Sequence, residues 1–130
     1  MADVVVAQHG VSVLVCDAEG ARIATEQDAL DHLIGSAFQD PNVVAVAVPT
    51  ARFDDRFFDL STGLAGAIMQ KFVTYRLRLV VVGDLSPHLR SGTALRDLVR
   101  EANRGRHVWF LPDLAALTAR LAPEDPHARG

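Results

Sequence analysis

A chain of 130 residues is the size of one domain and long enough to bury a substantial core. Hydrophobic residues at 49% and charged residues at 22% exclude a disordered chain, and no apolar run approaches the roughly 20 residues needed to cross a bilayer. The net charge of −3 hides an asymmetry: residues 1–65 hold 3 basic against 10 acidic side chains, and residues 66–130 hold 10 against 6. Such halves can form faces of opposite sign that steer partners or self-association, or simply a solvated charged surface.

The start, MADVVVAQHG, lacks a basic n-region and a cleavage site and so does not read as a signal peptide. A lone cysteine, Cys16, cannot make an internal disulfide, which fits a cytoplasmic location. The β-branched runs DVVVAQH and VSVLVC, broken at Gly10, predict two short strands in a hairpin. After the turn DAEG, Thr25 followed by Asp28 resembles a capping box. Ala29, Leu30, Leu33, Ile34, Ala37 and Phe38 then recur at helical spacing until Asp40-Pro41-Asn42. VVAVAVP is an almost unbroken apolar strand, the pattern of a sheet covered on both faces.

The irregular TARFDDRFFDLS leads to a second helix over 63–75, with Leu64, Ile68, Phe72 and Tyr75 along one face. LRLVVVGD is a buried strand, and LSPHLRSG reads as a loop. A third helix carries the stripe Leu95, Leu98, Val99 and Ala102 and stops at Asn103-Arg104-Gly105, where Gly105 is available for a left-handed cap. HVWFLP is the last strand, and Asp113 can cap a final helix through Leu121. The order β-β-α-β-α-β-α-β-α predicts an α/β fold: an antiparallel N-terminal hairpin joined to a largely parallel sheet of about five strands, with about four helices. One domain is expected over 1–122, with a flexible tail over 123–130.

The run FFDLSTGLAGAIMQKFVTYRLRLVVVGDLS, followed by ALRDLVREANRGRHVWFLPD, resembles the bacterial family called domain of unknown function 4180. Its marks here are Gly63-Leu64-Ala65-Gly66, Gln70-Lys71-Phe72, Tyr75-Arg76, Gly83-Asp84 and Asn103-Arg104-Gly105. That resemblance assigns no activity and so lends this chain no catalytic residues. A weaker resemblance is to the STAS fold of anti-sigma-factor antagonists, in which a partner kinase phosphorylates a serine directly before a glycine at a helix entrance. Here Asp59-Leu60-Ser61-Thr62-Gly63-Leu64 is the comparable run, with Leu60 inserted and Thr62 in the phosphorylated position. The resemblance implies a STAS-like regulatory or protein-interaction module, switched by phosphorylation at Ser61 or Thr62.

The same hydroxyls have a plainer use, because an N-cap side chain accepts a bond from a free helix N–H for about 0.5–2 kcal/mol. That helix end would also favour a phosphate, which would add about −1.5 to −2 charge beside Asp59. The candidate binding or switch surface is therefore Asp59, Ser61, Thr62 and Gly63, continued along the polar side of the helix by Gln70 and Lys71. The alternative is a small-molecule site or cofactor-independent enzyme at the carboxyl ends of the strands, formed by Thr50, Asp84, Ser86 and Asp113, with Asp84 as acid–base candidate. There the ordinary alternative is that Asp84 and Asp113 cap loops and helices.

Arg96, Arg100 and Arg104 form one row on the third helix, but Asp97 and Glu101 interrupt it, and the strands carry no aromatic RNA-binding signature. This argues against nucleic acid and for a protein partner; a homodimer joined through opposite-sign faces is a third reading. Asp28 and His32 lack a third ligand, so no metal or cofactor is expected, and no membrane. Cys16 reads as a buried, inert strand cysteine, and Trp109 as core or an interface anchor.

Overall fold

The structure, a computed structural model, describes residues 3–90 and 93–122; the expected tail over 123–130 lies outside the described residues. β1 (Val4–Gln8) and β2 (Val11–Val15) form the antiparallel hairpin around a turn at His9-Gly10. β3 (Val43–Pro49), β4 (Arg78–Val82) and β5 (Val108–Leu111) follow in parallel, and the sheet order is β1-β2-β3-β4-β5. The α/β architecture predicted from the strand–helix alternation is the one observed.

The first helix, α1, covers 26–37. Thr25 and Asp28 make the reciprocal capping box: the Asp28 N–H donates to Thr25 Oγ1 at 3.0 Å, and the Asp28 carboxylate accepts from the Ala24 and Thr25 N–H groups. Between α-helical turns at Glu26–Ala29 and Gly35–Ala37 lies a π-helical turn, Leu30–Ile34. The wider turn rotates everything after it. Ala37, after that turn, is still buried, whereas Phe38 at the C-cap is 55% exposed and meets Tyr75 edge-on at 5.6 Å.

The remaining helices are α2 (Leu64–Thr74), the short α3 (Ser86–Leu89), α4 (Ala94–Arg104) and α5 (Leu114–Leu121). A sequential parallel sheet with right-handed crossovers puts every crossover helix on one face. Leu33 and Ile34 of α1, Ile68 and Phe72 of α2 and Leu95 of α4 accordingly pack with Leu14, Val46, Val48, Leu79, Val81 and Phe110. Only α5, which follows the last strand, is free to cover the other face, where Leu117 packs with Val13, Ala45, Ala47, Val80 and Trp109. Both faces are covered, which is why the β3 run lacks polar alternation.

Three local expectations are corrected. Gly105 ends α4 with φ −91° and ψ −164°, extended rather than left-handed. Part of the loop LSPHLRSG is α3, with a proline in its first turn. Tyr75 is not on the buried face of α2: it caps the C-terminus and is 41% exposed. The left-handed residue of that terminus is Arg76, at φ 58°, and the Leu77 N–H returns to the Phe72 carbonyl at 3.0 Å in a Schellman-type closure.

Asn103 closes the free edge of β5. Its amide accepts from the Phe110 N–H at 2.7 Å and donates to the Phe110 carbonyl at 3.1 Å, pairing both backbone groups as a further strand would. Asp97 and Glu101, which interrupt the arginine row of α4, pair with Arg100 at 4.0 Å and Arg104 at 3.9 Å, both pairs exposed.

Candidate functional site

The loops at the carboxyl ends of the strands converge on one rim. The loop over 17–25 is tied to the segment after β3 by an isolated parallel bridge between Ile23 and Phe53. It is also tied by Arg52, which is 3% exposed and whose guanidinium donates to the carbonyls of Ala21 at 2.6 Å and Asp17 at 2.9 Å. A buried arginine needs such partners, because an unsatisfied charge in the core is costly. Nothing local in the sequence marks Arg52 for this role; its acceptors lie 31 and 35 positions away.

The 50–63 segment takes three 3₁₀ turns, Thr50–Arg52, Asp55–Phe57 and Leu60–Thr62. The second and third are each opened by an aspartate: Asp54 accepts from the Arg56 N–H and Asp59 from the Ser61 N–H. The aromatic run beneath them anchors the rim, with Phe53 stacked on Phe57 at 4.1 Å and Phe57 edge-on to Phe58 at 5.1 Å. Phe58 then stacks face to face with His88 of α3, centroids 3.9 Å apart and 15° between planes. That stack joins the segment after β3 to the segment after β4.

Between the two segments lies a groove of about 540 Å³, lined by Asp55, Phe58, Asp59, Leu60 and Ser61 on one side and Pro87, His88, Ala94 and Leu95 on the other. The volume falls within the range of small-ligand sites. Of the residues singled out from sequence, Asp59 and Ser61 line it. Thr62 and Gly63 follow immediately in the chain, while Gln70 and Lys71 lie further along α2, outside the lining.

The two hydroxyls are not equivalent. Thr62 Oγ1 reaches the carbonyls of Arg56 at 2.7 Å and Asp59 at 2.8 Å, and accepts from the Leu64 N–H at 3.3 Å. It is a backbone lock. The exposed Ser61 Oγ instead donates to the exposed Asp59 carboxylate at 2.6 Å, on the groove wall. Neither hydroxyl is the N-cap of α2, contrary to the sequence expectation. That position is Gly63, at φ 78°, a left-handed conformation natural to glycine.

The strand-end residues are brought to the same rim but take supporting roles. Thr50 packs against Gly83 so closely that a Cβ there would lie 2.5 Å from Thr50 Oγ1. The Ser86 hydroxyl and N–H, the latter at 2.9 Å, hold the exposed Asp84 carboxyl below the usual carboxylate range. A carboxylate so stabilised is anionic at neutral pH and a poor base. Asp113 caps α5, accepting from the Ala116 N–H at 2.8 Å. Asp84, Ser86 and Asp113 thus sit outside the lining of the groove. The groove residues that sequence reasoning missed are Asp55, Phe58, Leu60, Pro87, His88, Ala94 and Leu95; the dense aromatic run of RFDDRFF is the one signal that could have pointed there.

Cys16 is buried, and burial pushes its thiol up to about 12, with Asp3 adding to the effect. Among the described residues no helix is long and apolar enough to cross a membrane, and no cluster of three or more metal-ligating side chains forms. No curated protein and no solved structure matches the chain. The family model described as Domain of unknown function (DUF4180) matches residues 8–121, and the chain belongs to that family.

Proposed function

We propose that this protein is a regulatory, STAS-like interaction module whose protein partner docks over the groove beside Asp59, with Ser61 as the residue that switches docking. The single observation that carries the reading is the division of labour between the adjacent hydroxyls. Thr62 is consumed by three backbone groups, whereas Ser61 is exposed on the groove wall with its hydroxyl directed at a carboxylate. A phosphate on Ser61 would bring about −1.5 to −2 charge against Asp59 and Asp55 and repel an acidic partner. The STAS resemblance points to Thr62; the hydrogen bonds favour Ser61.

Co-purification from native cells, comparing wild type with Ser61→Glu and Thr62→Glu, tests the reading. A partner retained by wild type and by folded Thr62→Glu but lost by Ser61→Glu is the expected result. Partner binding that is indifferent to Ser61→Glu in a folded protein would refute the switch. The groove volume favours one alternative, a small-molecule site without a cofactor. A ligand that co-purifies with wild type and is lost on His88→Ala, with no protein partner, would establish that reading instead.

A further inference from the structure

At the opposite rim, where the parallel strands begin, a second groove of about 320 Å³ lies between the C-terminus of α2 and the starts of β3, β4 and β5. Its wall combines apolar Val44, Val73 and Leu77 with Arg76, Arg78, Arg106 and His107. Val44 and Val73 are 49% and 40% exposed, so apolar surface lies open beside three guanidinium groups.

Among the described residues these arginines have no ion-pair partner. The ion pairs among the described residues engage Arg22, Arg52, Arg56, Arg100 and Arg104, none of them in this groove. Arg78 donates its Nε to the Arg106 carbonyl at 2.6 Å and stacks over Trp109 at 4.3 Å. A fourth guanidinium, Arg120, also lies over this ring, at 4.2 Å, and its Nη2 donates to the Asn103 carbonyl. Burial first, then Arg120 and Arg106, lower the Arg78 pKa, as expected where cations gather without an anion.

Arg76 adds a backbone observation. It occupies the left-handed position that ends α2, at φ 58°, where glycine is usual and a side chain is strained. The chain thus bears strain that a glycine would relieve, and the side chain it keeps there points to a role beyond the fold.

We propose that this groove binds a small phosphate monoester, its head between Arg76, Arg78 and Arg106 and its apolar body along Val44 and Val73. A single carboxylate would leave most of the cation repulsion in place, whereas a phosphate monoester carries about −1.5 to −2 charge at neutral pH and matches the guanidinium fork. The cationic surface is too local for a nucleic acid track, since Arg100 and Arg104 on α4 are paired with their own acidic neighbours.

The test uses the full chain and phenyl phosphate, read by the fluorescence of Trp109, the one tryptophan, and by calorimetry. Saturable binding is expected, with Arg106→Gln and Arg76→Gly each weaker by about tenfold or more, and Arg100→Gln unchanged. Arg76→Gly fits the left-handed backbone, so its melting temperature should not fall, separating lost binding from lost fold. Benzoate, lacking the second charge, and inorganic phosphate, lacking the body, should both bind more weakly. Binding equal in wild type and both groove variants, or absent throughout the millimolar range, would overturn the proposal. So would a single-stranded oligonucleotide that binds tightly and is not displaced by phenyl phosphate.

Discussion

Replacing Thr62 with alanine should destabilise the protein, and replacing Ser61 should not. Thr62 Oγ1 sits 2.7 Å from the Arg56 carbonyl and 2.8 Å from the Asp59 carbonyl, and takes the Leu64 N–H at 3.3 Å. Its removal leaves the Arg56 carbonyl and the Leu64 N–H to water, while the Asp59 carbonyl keeps the Thr62 N–H at 3.1 Å, and because the position is exposed, water restores part of the loss. The expected cost is about 1–1.5 kcal/mol, the scale of one good cap or net hydrogen bond. Ser61 loses one bond to an exposed carboxylate at 2.6 Å, which should stay within about 0.5 kcal/mol. Urea unfolding at pH 7 resolves the difference: with a slope of about 2 kcal/mol/M, Thr62→Ala should move the midpoint down by roughly 0.5–0.75 M. Thr62→Ser keeps the hydroxyl and should recover most of the shift. Equal losses for Ser61→Ala and Thr62→Ala, or a Thr62→Ala midpoint at the wild-type value, would refute the assignment of Thr62 as the lock.

Arg52→Met keeps most of the buried volume but strands the Ala21 carbonyl and leaves the Asp17 carbonyl only the Gly20 N–H at 3.3 Å, and should cost about 2–4 kcal/mol in the same assay; a loss below about 1 kcal/mol would mean the two loops hold together without it. Native Cys16, with its thiol pushed up to about 12 by burial, should be alkylated at pH 8 only as fast as the protein unfolds, and rapid labelling of the folded state would contradict its burial. Asp28, Asp54 and Asp84 are all held below the ordinary carboxylate range, chiefly by the Ala24 N–H, the Arg56 N–H and the Ser86 hydroxyl respectively. A depressed folded pKa stabilises the fold above the unfolded value and loses that contribution as pH falls through the folded one, so the melting temperature should drop below about pH 4. Asp28→Asn should make that acid limb shallower; parallel acid limbs for wild type and Asp28→Asn would show that the capping carboxylate is not among its sources.

The two candidate sites were legible to different degrees. Asp59 and Ser61 stand out in sequence because paired polar residues before a glycine and an apolar run mark a helix entrance. Which hydroxyl is spent on the backbone is not local: the Thr62 hydroxyl depends on Arg56, six residues back, and on the 3₁₀ turns between them. His88 carries no signal at all until α3 folds and lays it on Phe58. The cationic groove is equally hidden, because Val44, the pair Arg76 and Arg78, and Arg106 come from three places in the chain and meet only at the start of the sheet.

By itself the sequence determined the hairpin, the strand–helix alternation, the capping box at Thr25 and the cap at Asp113, since each rests on residue period and on hydrogen bonds spanning three or four residues. Periodicity also named most of the buried faces of α1, α2 and α4, Ala37 beyond the π turn included, and missed at two helix C-termini, where Phe38 and Tyr75 are exposed. The tertiary structure alone decided the rest: that α5 covers the face opposite the other helices, that Arg52 becomes a buried clasp, and that cations gather at one rim and a carboxylate-lined groove at the other. Those outcomes depend on contacts between residues far apart in the chain, and a local pattern holds no information about which distant partner will satisfy a polar group.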